Sequence, residues 1–118
     1  MSEYQIYHNP RCSKSRQTLA LLEENGIQAD VILYLEDTPD AQSLAQILKK
    51  LGIPARDLLR SGEEAYQALN LADTALSEQQ LIEAMVKQPR LIERPIVVKG
   101  DQAVIGRPPE SVLTLLRR

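Results

Sequence analysis

The sequence predicts an α/β fold in which a mixed four-stranded β-sheet carries helices on its faces. A β-α-β pattern near the N-terminus predicts two parallel strands, and two short apolar runs near the C-terminus predict an antiparallel hairpin. The intervening residues, at about 40–90, have a helical pattern. The 118 residues are therefore expected to form one domain, 1–118, with the order β-α-β, helical insertion, β-β-α.

The N-terminal part supplies the β-α-β unit. Tyr4–Tyr7 alternates weakly and stops at Asn9-Pro10, which predicts a short strand that enters a loop. A helix of about three turns follows and ends at Asn25-Gly26. Val31–Leu35 is a continuous apolar run, typical of a strand that is buried on both faces. Cys12 is therefore expected at the turn from the first strand to the first helix.

The central part predicts further helices. Thr38-Pro39 has the residue types of an N-cap and a first helical position, and the apolar residues of Leu44–Leu51 recur at i, i+3, i+4 and i+7. Pro54–Leu71 predicts short helical pieces. Ser77 and Gln80 form a capping-box pattern that begins another helix.

The C-terminal part completes the sheet. Ile96–Val98 and Ala103–Ile105 flank a turn that contains Gly100, and this pattern predicts a hairpin. Pro108-Pro109 then begins a last helix. A parallel pair joined to an antiparallel hairpin is the arrangement of thioredoxin-like domains, so we expect a thioredoxin-like fold.

Composition excludes several classes of function. The formal net charge of −2 gives no overall basic surface for nucleic acid or for an anionic membrane. One cysteine cannot form an intramolecular disulfide, and one cysteine with one histidine is too few for the usual zinc sites. The sequence has neither a signal-peptide core nor an apolar run long enough to span a bilayer. We expect a cytoplasmic protein with no metal, nucleic-acid or membrane ligand.

The only cysteine lies among cations in residues 8–18. Arg11, Lys14 and Arg16 surround Cys12, and no carboxylate occurs in this stretch. Nearby cations and the N-terminus of a helix both stabilise a thiolate, which is the nucleophilic form of cysteine. Ser15 occupies the position of the second cysteine in a Cys-x-x-Cys motif, so any resolving thiol must come from another molecule. From these residues alone, a half-buried packing cysteine in a solvated basic turn stays an alternative.

The other candidate residues are one histidine near Cys12 in sequence and three distant arginines. His8 is close enough in sequence to contact the cysteine loop. The planar guanidinium of arginine suits oxyanions, and three arginines lie where loops are expected to meet the sheet. They are Arg60, Arg94 and Arg107. Each is also compatible with a solvated surface group, and their spacing does not establish that they converge.

Several segments match a known family in order and at matching intervals over nearly the whole chain. They are Tyr7–Pro10 with Cys12, Ser15 and Arg16, then Ile32–Glu36, Leu58–Arg60, Glu93–Val98 and Gly106–Pro108. These segments resemble the glutaredoxin-dependent arsenate reductase family. The chain ends soon after the last predicted helix and is similar to a shorter and less characterised branch.

The resemblance implies a thioredoxin-like fold with an inserted helical subdomain, in agreement with the order above. It also implies that Cys12 is the catalytic nucleophile and that His8 and Ser15 assist its thiolate. The oxyanion-binding residues that it implies are Arg60, Arg94 and Arg107. The implied substrate is arsenate or a similar small oxyanion. Glutathione and glutaredoxin are the implied co-substrates, without a bound cofactor, and the Arg94-Pro95 bond is expected to be cis.

Two features keep other functions open. Ser13-Lys14 stands where well-known members have Gly-Thr, and Arg11 replaces a small residue. These changes leave room for a glutathione-linked thiol oxidoreductase that acts on another substrate. A non-enzymatic binding module like the Spx-type transcription regulators is the other alternative, although many of those proteins carry the Cys-x-x-Cys pair that Ser15 precludes.

Overall fold

The computed structural model describes residues 3–116. They form the predicted mixed sheet, which has four strands, and they also form five α-helices. The strands are β1 (Tyr4–Tyr7), β2 (Asp30–Ile32), β3 (Ile96–Lys99) and β4 (Gln102–Ile105). The helices are α1 (Ser13–Glu24), α2 (Ala41–Leu51), α3 (Glu64–Ala68), α4 (Glu78–Lys87) and α5 (Leu113–Leu116). Short 3-10 turns occupy Ala55–Leu58, Pro89–Leu91 and Pro109–Val112. None of the helices within 3–116 has the length and apolar content that crossing a bilayer requires.

The strand order in the sheet is β2-β1-β3-β4. β1 pairs in parallel with β2, where Ile6 lies opposite Val31, and antiparallel with β3, where Ile6 lies opposite Val97. β3 and β4 form the predicted hairpin, with Val97 opposite Val104. Gly100 in the turn has φ of 59°, a left-handed conformation that glycine adopts without steric cost. The predicted mixed topology is confirmed.

The chain divides into two compact units. One consists of residues up to Asp37 and from Arg94 onward, and it contains the sheet with α1 and α5. Its core has Ile6, Leu22 and Val97 fully buried. The other unit is Thr38–Glu93, which is helical as expected, with α2 packed against α4.

The prediction of a strand over Val31–Leu35, buried on both faces, was wrong. β2 ends at Ile32, and the N–H groups of Glu36 and Asp37 both donate to the carbonyl of Leu33 in a turn. Val31 is 46% exposed, and Leu33 and Leu35 are each 38% exposed. The reason is that β2 lies at the edge of the sheet, where a strand has one neighbour and partial cover.

The predicted start of one helix is confirmed, and that of another is wrong. Ser77 and Gln80 form the predicted capping box at the start of α4. α2, by contrast, begins after Asp40, whose carboxylate accepts from the N–H of Ser43 at 2.8 Å, and so Thr38-Pro39 is not the cap. The predicted last helix begins as the 3-10 turn Pro109–Val112 before it continues as α5.

Candidate active site

Cys12 is the N-cap residue of α1, at the predicted strand-to-helix turn. Its backbone is extended, with φ of −95° and ψ of 122°, and its N–H donates to the carbonyl of Asn9 at 3.0 Å. The side chain is 8% exposed. The backbone N–H groups of Lys14 and Ser15, in the first turn of α1, lower the pKa of the thiol, although the Cys12 side chain makes no capping hydrogen bond. The thiol therefore faces the positive end of the helix.

Two of the three candidate arginines reach this sulfur. Arg107 Nη2 lies 3.4 Å from Cys12 Sγ, and the Nε–H of Arg107 donates to the carbonyl of Arg94 at 2.8 Å. The side chain of Arg94 also donates a hydrogen bond to the sulfur. The Arg94-Pro95 bond is cis, as expected, and the Arg107-Pro108 bond is cis as well. The antiparallel strands thus bring together two arginines that are distant in sequence.

These contacts change the ionisation of the thiol. Burial is the largest single influence and raises the pKa of Cys12, because a charged sulfur is poorly solvated there. The Ser15 N–H, the hydrogen bond and charge of Arg94, and the Lys14 N–H act in the opposite direction. Their sum wins, and the pKa of Cys12 lies below its ordinary value. The site therefore favours the nucleophilic thiolate.

His8 and Ser15 form a buried pair beneath the cysteine loop. His8 Nδ1 lies 2.6 Å from Ser15 Oγ, which also accepts from the N–H of Asn9 at 3.0 Å. Burial, followed by the charge of Arg16, lowers the pKa of His8, so its ring is neutral at neutral pH. His8 contacts Ser15, whose backbone N–H lowers the pKa of Cys12, so the histidine acts on the thiol through the loop.

The cations nearest to Cys12 in sequence have different surroundings. Arg16 Nη1 donates to the carbonyl of Pro10 at 2.8 Å and so ties the helix to the loop. Asn9 Oδ1 accepts from the N–H of Arg11 at 3.0 Å, which fixes the loop before the cysteine. The side chains of Arg11 and Lys14 are exposed. Sequence reasoning missed the role of Asn9, although an Asn-Pro step before a helix is a known turn signal.

A second contact that sequence reasoning missed links α1 to the segment before Arg107. Thr18 is fully buried, and its Oγ1 donates to the carbonyl of Lys14 at 2.8 Å. A Cβ atom at Gly106 would lie 2.5 Å from Thr18 Oγ1 and 2.9 Å from Pro95 Cγ. Glycine is therefore the residue that allows this close approach. Its place directly before Arg107-Pro108 was the available signal.

Arg60 belongs to the helical unit. The N–H of Arg60 donates to the carbonyl of Leu91 at 2.8 Å, next to a bridge between Leu59 and Ile92. Its Nη1 lies 3.3 Å from Glu93 Oε1, and its Nε lies 3.7 Å from Glu63 Oε2. The guanidinium already has two carboxylate neighbours. A role for Arg60 in oxyanion binding stays a prediction.

The chemistry of the site is that of a thiolate nucleophile beside guanidinium groups. Within residues 3–116, no group of three or more histidine, cysteine, aspartate or glutamate side chains is placed to hold a metal ion. Hydrogen-bond donors at the end of a helix, together with Arg94 and Arg107, can bind an oxyanion that the thiolate attacks. Such an arrangement suits an anionic, electrophilic substrate.

Known proteins resemble this chain over nearly its whole length. Residues 7–115 match the model of the ArsC family. The uncharacterized protein YfgD of Escherichia coli is 57% identical and covers 97% of both chains. An arsenate reductase of Haemophilus influenzae is 53% identical over 94% of this chain and 97% of its own. The structure of an arsenate reductase from Vibrio cholerae has a TM-score of 0.92 at 53% identity, covering 94% of this chain and 95% of that one.

Proposed function

Because this chain belongs to the ArsC family, we propose that it reduces arsenate to arsenite, with glutathione and glutaredoxin as the reductants. The observation that carries the proposal is the position of Arg107 Nη2, 3.4 Å from the sulfur of Cys12 at the start of α1. A nucleophile and an anion-binding group lie together there. The reaction takes place in the reducing cytoplasm, where the single thiol stays available.

The first step is attack of the Cys12 thiolate on the arsenic atom of arsenate. A sulfur–arsenic bond forms and an arsenic–oxygen bond breaks, and the departing oxygen takes up protons and leaves as water. Arsenic stays in the +5 state. Arg94 and Arg107 offset the repulsion between thiolate and arsenate, which is strongest as the two anions meet, so their effect is largest in the transition state.

The second stage uses thiols from outside the chain. The glutathione thiol forms its own sulfur–arsenic bond and displaces a second water. A glutaredoxin thiolate then attacks the glutathione sulfur, and the electron pair of the glutathione–arsenic bond stays on arsenic, which becomes As(III). Hydrolysis of the remaining bond to Cys12 releases arsenite and restores the thiol. This sequence is consistent with a chain that contains one cysteine.

A second candidate function is glutathione-linked reduction of mixed disulfides or of another small anion. Arg11 and Lys14, which differ from well-known arsenate reductases, have exposed side chains within two residues of Cys12 in sequence, and they favour other anionic substrates of this nucleophile. The chemistry at Cys12 would begin with the same thiolate. The two functions differ in the electrophile.

The proposal is tested by incubating the protein with arsenate, glutathione and glutaredoxin and measuring arsenite. Cys12→Ser, with folding checked by thermal melting, should abolish turnover. Parallel assays replace arsenate with a glutathionylated peptide. Absence of turnover by the wild type, or equal turnover by Cys12→Ser, would reject the proposal. A faster reaction with the peptide by orders of magnitude would favour the second candidate.

A further inference from the structure

A groove of about 350 Å³ lies beside the cysteine loop. One wall is the loop His8–Arg11, and the other is formed by Leu33, Leu35 and Glu36 of the turn after β2. We call it the Arg11–Glu36 groove. Its volume falls within the range of about 300–1,000 Å³ that is usual for small-molecule sites. The steps proposed for arsenate make no use of Arg11, Leu33, Leu35 or Glu36.

Backbone hydrogen bonds fix both walls of the groove. The N–H of His8 donates to the carbonyl of Ile32 at 2.9 Å, which joins the loop to β2. On one side, the N–H of Arg11 donates to Asn9 Oδ1, and on the other the N–H of Glu36 donates to the carbonyl of Leu33 at 2.9 Å. A ligand would therefore meet a groove that is already formed, which reduces the entropy cost of binding.

The charges and apolar surface of the groove suit a short zwitterionic peptide. Arg11 on one wall and Glu36 on the other are exposed side chains of opposite charge. Leu33 and Leu35, each 38% exposed, offer apolar contact. A peptide can place a carboxylate near the cation, an ammonium near the carboxylate, and its hydrocarbon groups on the leucines. A second arsenate would gain nothing from the leucines and would be repelled by Glu36.

We propose that the Arg11–Glu36 groove binds the peptide part of glutathione and presents its thiol to the group attached to Cys12. This inference rests on the proposed function, because it assigns a place to the reductant in that reaction. Arg11 directly precedes Cys12, so the two Cα atoms are about 3.8 Å apart. Cys12 itself does not line the groove, but the loop that forms one wall leads directly into the residue that carries the nucleophile.

The test avoids arsenate, so that it can be read even if the proposed function fails. Cys12 is first converted to its mixed disulfide with thionitrobenzoate. Glutathione, glutathione ethyl ester and 2-mercaptoethanol are then compared by the rate at which they release the coloured thiolate. The ratio of glutathione to 2-mercaptoethanol rates cancels general effects on the disulfide and measures recognition of the peptide.

Arg11→Glu and Glu36→Lys should each lower that ratio about threefold to fivefold, as expected for exposed ion pairs. The ester, which lacks the glycine carboxylate, should react more slowly than glutathione with the wild type but not with Arg11→Glu. Arg90→Glu makes the same charge change at an exposed position outside the groove and should leave the ratio unchanged. A ratio that is unaffected by both groove variants, or that falls equally in Arg90→Glu, would overturn the proposal.

Discussion

Arg107 and Arg60 carry the same guanidinium group in opposite surroundings. Arg107 directs Nη2 at the Cys12 sulfur, 3.4 Å away, and Nε at the neutral carbonyl of Arg94. Arg60, in the helical unit, lies 3.3 Å from a carboxylate oxygen of Glu93 and 3.7 Å from one of Glu63. Arg107 donates to the thiol sulfur, whereas the charge of Arg60 is offset by neighbouring carboxylates. An arginine's role thus depends on its partners more than on its motif.

Arg107→Ala should produce the largest effect and would show most directly that Arg107 acts on the thiol. Loss of the donor near Cys12 should raise the pKa of the thiol, so the midpoint of its alkylation rate against pH should move upward. At pH values below the variant's midpoint, Cys12 should be alkylated more slowly than in the wild type. Arsenite formation should fall by about 100-fold to 1,000-fold, as when one oxyanion donor is removed. Arg107→Lys keeps the charge but loses the planar fork, and it should restore only part of the activity.

The control for this experiment is Arg60→Ala. If the comparison between the two arginines is right, Arg60→Ala leaves the alkylation profile of Cys12 where it is in the wild type. An unchanged profile in Arg107→Ala, or equal shifts in both variants, would contradict it.

Gly106→Ala should have an intermediate effect, because it tests how Arg107 is positioned. The added Cβ would lie 2.5 Å from Thr18 Oγ1, so the strand end or α1 must move. We expect a loss of about 1–3 kcal/mol in the free energy of unfolding, as for other overpacked sites. The Cys12 alkylation midpoint should also move upward as Arg107 is displaced. Thermal melting and alkylation against pH measure the two effects.

Gly62→Ala is the matched control, because a Cβ there meets no atom within 4 Å among the residues that the structure describes. Adding Thr18→Ala to Gly106→Ala removes Thr18 Oγ1, the atom nearest to the new methyl group, but leaves Pro95 Cγ at 2.9 Å, so it should move the midpoint part of the way back toward the wild-type value. A midpoint that Gly106→Ala leaves unchanged would show that Arg107 does not depend on this contact.

Glu93→Gln should give the smallest effect, and it tests whether Arg60 binds substrate. On the prediction that Arg60 binds arsenate, removal of one carboxylate charge leaves its guanidinium more available, and the KM for arsenate should fall about twofold to fivefold. Stability should change by less than about 1 kcal/mol, since the pair is partly exposed. The control is Glu64→Gln, which removes an exposed carboxylate from the same unit, and steady-state kinetics measure both variants. A KM that is unchanged or raised would argue against a substrate-binding role for Arg60.

The parts of the fold that depend on local chemistry could be predicted from the sequence. The capping box at Ser77 and the glycine turn of the β3–β4 hairpin are encoded within a few residues. The burial of Val31–Leu35 could not be predicted, because the same apolar run suits a central or an edge strand, and strand order is decided by distant residues.

In the candidate site, too, the features that nearby residues determine could be predicted, and those that depend on distant residues could not. Cys12 at the start of a helix was predictable from the loop before it and the helical pattern after it. The approach of Arg107 to the sulfur depends on strand pairing across the chain, which spacing does not encode. The contact between Thr18 and Gly106 joins residues that are 88 positions apart, and its local signal is the place of the glycine directly before Arg107-Pro108, which does not identify Thr18 as the partner.

The hydrogen bonds of the Ser15 hydroxyl oppose its replacement by cysteine, which is the change that would turn this one-thiol site into a two-thiol site. The hydroxyl is fully buried, lies 2.6 Å from His8 Nδ1 and accepts from the N–H of Asn9. A cysteine at this position would put a larger sulfur, a weak acceptor, where a compact oxygen now joins two polar groups. One codon change could supply the second thiol, but the loop would need to rebuild its hydrogen bonds before that thiol could resolve a disulfide. Packing beneath the nucleophile, as well as the cysteine count, thus opposes a second thiol at this position.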